Sequence, residues 1–179
     1  MIGARVFIDA CVLYPPMVRA LVLEAAAAGL MRPLWTVRVL DEWTLSVARK
    51  EPEAAHAAEA ARRQMSARFP DALCLPAPEF ELRLALPDPA DAHVAAAAAQ
   101  AAAALILTFN LRDFPARALA PFGLEARHPD GVFWELWSHA PERVEAVLRA
   151  VLPGLDPTAR RGPLKRARLS RFGKAQADA

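Results

Sequence analysis

The run ALILTFN at residues 104–110 restricts the folds open to this chain more than any other stretch. Leu105, Ile106 and Leu107 follow one another without polar alternation, so a strand made of them has to be covered on both faces. Such strands belong to parallel sheets, whose neighbours are joined by long crossovers that are usually helical. The N-terminal RVFIDA carries a second strand of this kind at Val6, Phe7 and Ile8.

The intervening segments read as the required helices. PPMVRALVLEAAAAGL enters through its prolines and leaves at Gly29. LMRPLW leads into a helix over residues 36–49, with Thr36 as its cap and Val37, Leu40, Thr44 and Val47 at helical spacing. EPEAAHAAEAARRQMSARF forms a more polar helix opened by Pro52, and DALCLPAPEFELRLAL supplies one or two short extended pieces interrupted at Pro76 and Pro78. DPADAHVAAAAAQAAAAL is a strong helix former capped by Asp88, with Pro89 at home in its first turn. LRDFPARAL turns into a short helix, and LEARHP is a last short strand. Strands alternating with helices predict an α/β fold, a three-layer α/β/α sandwich with a central parallel sheet and right-handed crossovers.

After Pro129 the pattern becomes purely helical. GVFWELWSHA and PERVEAVLRAVL read as two amphipathic helices, and Phe133, Leu136, Trp137 and Ala140 form a stripe expected to pack on the body or on a second copy. From Ala159 onward the chain carries seven basic residues against one acid, about +6. The whole chain is only +2, so an acidic body of about −4 bears a basic end. Such an end suits a nucleic acid or an acidic partner, or is a solvated terminus. The cysteines, Cys11 and Cys74, form no CxxC pair, and their use fits a reducing cytoplasm. No run of about 18 apolar residues is free of charge, so no membrane span is expected.

The acids carry the chemistry. Ligands of an open parallel sheet bind outside the carboxyl ends of its strands. Asp9 ends the first strand, Asn110 ends the ALILTFN strand and Asp113 follows it, so they share one sheet edge if the two strands are neighbours. Asp91 lies in the first turn of the alanine-rich helix, where an acid also favours the helix N-terminus. LDEW offers Asp41 and Glu42, between which periodicity does not choose. Gathered carboxylates repel one another and their pKa values rise. Mg²⁺ or Mn²⁺ relieves that repulsion, prefers oxygen ligands and serves phosphoryl displacement.

In this order, VFIDACVLYP, VLDEW, DPADAHVAAAA and ILTFNLRDFP resemble the PIN domain, over residues 1–129. The likeness looks closest to virulence-associated toxin ribonucleases of bacterial toxin–antitoxin pairs. The resemblance implies a Rossmann-like sandwich with an acidic pocket for Mg²⁺ or Mn²⁺ and hydrolysis of RNA phosphodiester bonds. It places the family's acids on Asp9, Glu42, Asp91 and Asp113, with Asp9 the central metal ligand and Thr108 and Asn110 in support. It implies an RNA substrate, an antitoxin protein and a homodimer as partners, and a cytoplasmic setting. The expected organisation is a nuclease unit at 1–129, a helical extension at 130–158 and a basic tail at 159–179.

His56, His93, His128 and His139 form no metal-binding pair, and His93, two residues from Asp91, is expected to face another side as a structural or surface residue. A phosphatase of the haloacid dehalogenase type needs an acid two residues after Asp9, where Cys11 stands. Neither GxGxxG nor GK[ST] is present. The competing reading is a catalytically inert PIN-fold module that binds RNA or a partner.

Overall fold

The structure is a computed structural model and describes residues 1–178. Strand β1 (Ala4–Ile8) is followed by the single turn α1 (Ala10–Leu13) and by α2 (Pro16–Ala27). Gly29, with φ +68, ends that helix in the left-handed conformation and turns the chain into β2 (Met31–Leu34). Helix α3 (Val37–Lys50) begins where the Thr36 hydroxyl accepts from the Val39 amide at 3.2 Å. A 3₁₀ turn at Pro52–Ala54 leads into α4 (Ala55–Arg68), and the helical turn α5 (Pro78–Glu81) comes next. Asp88 caps a 3₁₀ turn at Pro89–Asp91, its carboxylate accepting from the Ala90 amide at 2.9 Å, and α6 (Ala92–Gln100) continues from it. Strand β3 (Leu105–Leu107), a 3₁₀ turn at Leu111–Asp113, α7 (Ala116–Leu119) and β4 (Ala126–Arg127) complete the α/β part.

All pairings are parallel, in the order β2-β1-β3-β4. The central strands are the two continuous apolar runs: Val6, Phe7, Ile8, Leu105, Ile106 and Leu107 are all buried. Strand β2 was hidden in LMRPLW by Pro33, which removes a ladder donor and is tolerated because β2 is an edge strand. The DALCLPAPEFELRLAL segment departs from its expected form. Its extended part is a single bridge between Trp35 and Leu73, and Pro78 opens a helical turn instead of interrupting a strand. On α3 the buried stripe is Val39, Leu40, Trp43, Thr44 and Val47, whereas Val37 is half exposed. No helix is long and apolar enough to cross a membrane, among the described residues.

Beyond β4 lie α8 (Pro129–His139), α9 (Pro141–Val151), α10 (Pro157–Arg166) and α11 (Ser170–Ala175). The Phe133 and Trp137 faces of α8 meet Phe172 of α11, with ring centroids 5.5 and 6.5 Å apart. The aromatic part of the α8 stripe, Phe133 and Trp137, is thus packed against the chain's own basic segment. That segment is not a solvated terminus: Leu164, Leu169 and Phe172 are fully buried, and Arg160 pairs with Glu145 at 2.7 Å. A boundary at Ala159 falls inside α10.

Candidate active site

Because β1 and β3 are direct neighbours, their carboxyl ends open on one edge. Asp9 follows β1 and is 8% exposed. Its Oδ2 accepts from the Thr108 hydroxyl at 2.6 Å and from the Cys11 thiol at 2.9 Å, which offsets the expense of placing a carboxylate beside core strands. The Thr108 oxygen also accepts from the Asn110 amide at 3.0 Å, so the end of β3 is tied to that of β1 through one hydroxyl. Burial, then the adjacent Asp9 charge, pushes the Cys11 thiol up to about 12. Cys11 is therefore a donor to Asp9 and not a thiolate nucleophile.

Asp113 is buried at the end of the 3₁₀ turn, and its carboxylate accepts from the Asn110 side-chain amide. Asp91 stands at the start of α6. Burial first, then the charges of Asp9, Asp88 and Asp113, push the Asp91 carboxyl up to about 6, against a smaller opposing pull from His93. The three aspartates at the strand ends and the α6 start therefore share one electrostatic environment.

Asp91, Asp9 and Glu42 line one cleft of about 1020 Å³. Glu42, on α3, accepts from His93 Nε2 at 3.0 Å and from Arg38 Nε at 3.2 Å. Burial pulls the Glu42 carboxyl up, but His93 and Arg38 together outweigh it and leave it below its usual value. Asp41, the other acid of LDEW, instead pairs with Arg62 of α4 at 2.6 Å. The structure thus puts Glu42, not Asp41, on the cleft wall.

His93 is structural, as expected, but it does not point away from the acids. It is 5% exposed, and it links α6 to α3 through Glu42 instead of facing away from the acids. The two-residue spacing misled because Asp91 belongs to a 3₁₀ turn and only Ala92 begins the α-helix. A lone histidine on a helix face otherwise filled with buried alanines was the available signal, since a buried polar group needs a partner. Arg168, from the turn between α10 and α11, also lines the cleft, and no local pattern pointed to it.

Residues 1–112 match the family model of the PIN domain. The chain belongs to the PIN domain family. PIN domains are a family of nucleases, and PIN nucleases typically use divalent metals. No curated protein and no solved structure matches the chain. The match ends just before Asp113, so the last acid and the four C-terminal helices of this PIN protein lie beyond it.

Among the described residues, no three His, Cys, Asp or Glu side chains form a ready-made metal cage. Asp9 turns to Thr108, Glu42 to His93 and Asp113 to Asn110. The donor set nevertheless suits a hard cation. It consists of carboxylate oxygens, and the Asp91 carboxyl is raised by burial first and then by the charges of neighbouring acids. A divalent cation would offset those charges.

Proposed function

We propose that this PIN protein is a metal-dependent ribonuclease that hydrolyses RNA phosphodiester bonds. The observation that carries the reading is the convergence of Asp9, Asp91 and Glu42, from β1, α6 and α3, on one cleft; burial, then the charges of Asp9, Asp88 and Asp113, push the Asp91 carboxyl up to about 6 there. Asp9, Asp91 and Asp113 would hold Mg²⁺ or Mn²⁺, with Glu42 on α3 lining the same cleft as Asp9 and Asp91. Bound there, the cation supplies water activation and neutralises charge developing at the phosphorus. The protein's own part is orientation. The Thr108 and Cys11 donors fix one oxygen of Asp9, Asn110 fixes Asp113, and His93 with Arg38 holds Glu42 ionised on the wall. Arg38 also donates to the Ala90 carbonyl at 3.4 Å, tying the α3 wall to the turn that carries Asp91.

The order of the four motifs supports a finer reading, the toxin of a toxin–antitoxin pair. A second reading, an inert PIN module for RNA or a protein partner, draws on Asp9, Glu42 and Asp113 each being already bonded to a neighbour. Cleavage of single-stranded RNA in Mg²⁺ or Mn²⁺ separates the two. Chelator, or Asp9→Asn, should lower the rate by about a thousandfold, the scale of losing several kcal/mol of transition-state stabilisation. Equal cleavage by Asp9→Asn sinks the nuclease assignment. Mn²⁺ should also raise the wild-type melting temperature, because a ligand that binds only the native state stabilises it; no shift would favour the inert module.

A further inference from the structure

A cleft of carboxylates repels a polyanion, so a nuclease of this kind needs cations placed where the nucleic-acid backbone passes. On the α3 wall, Arg49 and Lys50 line the cleft, with the Lys50 ammonium 5.1 Å from the centroid of the Tyr14 ring. The strand-end wall receives its cation from a distant part of the chain. Arg168 lies in the turn between α10 and α11, and its guanidinium carbon stands 4.5 Å from the centroid of the Phe109 ring. Phe109 directly follows Thr108, the donor to Asp9.

The backbone at Arg168 is unusual for its residue type. The Arg168 amide donates to the Lys165 carbonyl at 3.0 Å and the Leu169 amide to the Leu164 carbonyl at 2.9 Å. That is the Schellman ending of a helix, which calls for a left-handed residue and normally takes glycine. Arg168 adopts it with φ +64. A non-glycine residue there is strained, because its Cβ approaches the following carbonyl oxygen. Strain held at a site is a pointer to function.

The turn is also firmly seated. Leu164 and Leu169, the apolar pair that accompanies this motif, are both buried, and Asp130 of α8 accepts from the Arg171 and Phe172 amides at 3.0 and 2.9 Å. An exposed guanidinium is thus carried on a rigid support, lying on an aromatic ring at the cleft. Among the described residues its N–H groups have no hydrogen-bond or ion-pair partner, and a guanidinium so placed can present a planar fork to phosphate.

We propose that Arg168 binds a backbone phosphate of the RNA substrate beside the scissile bond, which makes the α10–α11 turn a substrate-positioning element of the site. The inference rests on the ribonuclease reading. Truncation is a poor test, because it would strip buried Leu164, Leu169 and Phe172 from the fold. Arg168→Gly is a clean one, since glycine relaxes the backbone while removing the charge.

Binding of a short single-stranded oligoribonucleotide is measured in an Asp9→Asn background with Mn²⁺, and KM and kcat in the otherwise wild-type chain. Arg168→Gly should weaken binding about tenfold, as for a lost hydrogen-bonded charge contact. It should flatten the slope of log affinity against log salt by about 0.7, the increment for one phosphate of a single strand. KM should rise more than kcat falls, and the melting temperature should hold or increase. A wild-type chain that cleaves RNA, with an unchanged KM and salt slope in Arg168→Gly, overturns this proposal alone. A wild-type chain that neither binds nor cleaves RNA overturns the ribonuclease reading and this proposal with it.

Discussion

The carboxyl edge of the sheet and the C-terminal helices treat charge in opposite ways. At the sheet edge the acids are buried or half-buried and crowded, enough to push Asp91 up to about 6. In the C-terminal helices the basic residues are dispersed over separate tasks. Arg160 is buried against Glu145, Arg171 lies over Trp134 at 3.6 Å, and Arg168 reaches the cleft. A run of like charge in sequence therefore says little about where the charges act. Acids far apart in sequence share one environment, while neighbouring arginines do not.

The comparison breaks first if the C-terminal helices are only loosely attached. Phe172→Ala removes the ring that covers Phe133 and Trp137 and should cost about 3–5 kcal/mol, read as a drop of roughly 10 °C in melting temperature. A change within about 0.5 kcal/mol, the scale of an ordinary surface substitution, would mean that α11 is not part of the core.

A smaller effect distinguishes the two acids of LDEW. Glu42→Gln should lower RNA cleavage by about tenfold, the size of one weakened charge interaction, while Asp41→Asn should leave it near wild type. Asp41 is engaged with Arg62 on another face of α3, and its surface pair is worth no more than about 1 kcal/mol to stability. The reverse ranking in a steady-state assay would move the working acid off the cleft wall.

The smallest effect is in the pH dependence of the metal-free protein. The Asp91 pKa is raised from 3.8 to about 6 on folding, so its ionised form is the disfavoured one. Its contribution is neutral below the unfolded value, and stability falls as pH rises through the folded value. Asp91→Asn should therefore be more stable than wild type above about pH 6, with the gap closing toward pH 4. Because Asp91 is partly exposed, solvent screening should reduce the gain to about 1 kcal/mol. Urea titrations in chelator at several pH values measure it, and a gap that widens on acidification would contradict the electrostatic account.

Much of the α/β part was legible before the structure. Val6–Ile8 and Leu105–Leu107 are continuous apolar runs, and Thr36, Asp88 and Gly29 mark helix ends by chemistry that acts within a few residues. Strand β2 was not legible, because Pro33 lowers strand propensity and only its edge position excuses it. The role of His93 was obscured by a local change of helical geometry, which spacing rules do not register.

The sequence by itself determined the parallel α/β architecture and nominated Asp9, Asp91 and Asp113, because strand and helix patterns and acids at strand and helix ends are local signals; at LDEW it offered both Asp41 and Glu42, and the family resemblance alone favoured Glu42. Only the tertiary structure decided that Glu42 rather than Asp41 lines the cleft, that His93 braces it, and that Arg168 reaches Phe109 across 59 positions of chain. Those outcomes depend on how packed helices are rotated and on which chain ends return to the sheet edge. Such relations are set by burial across the whole molecule, and no short stretch of residues encodes them.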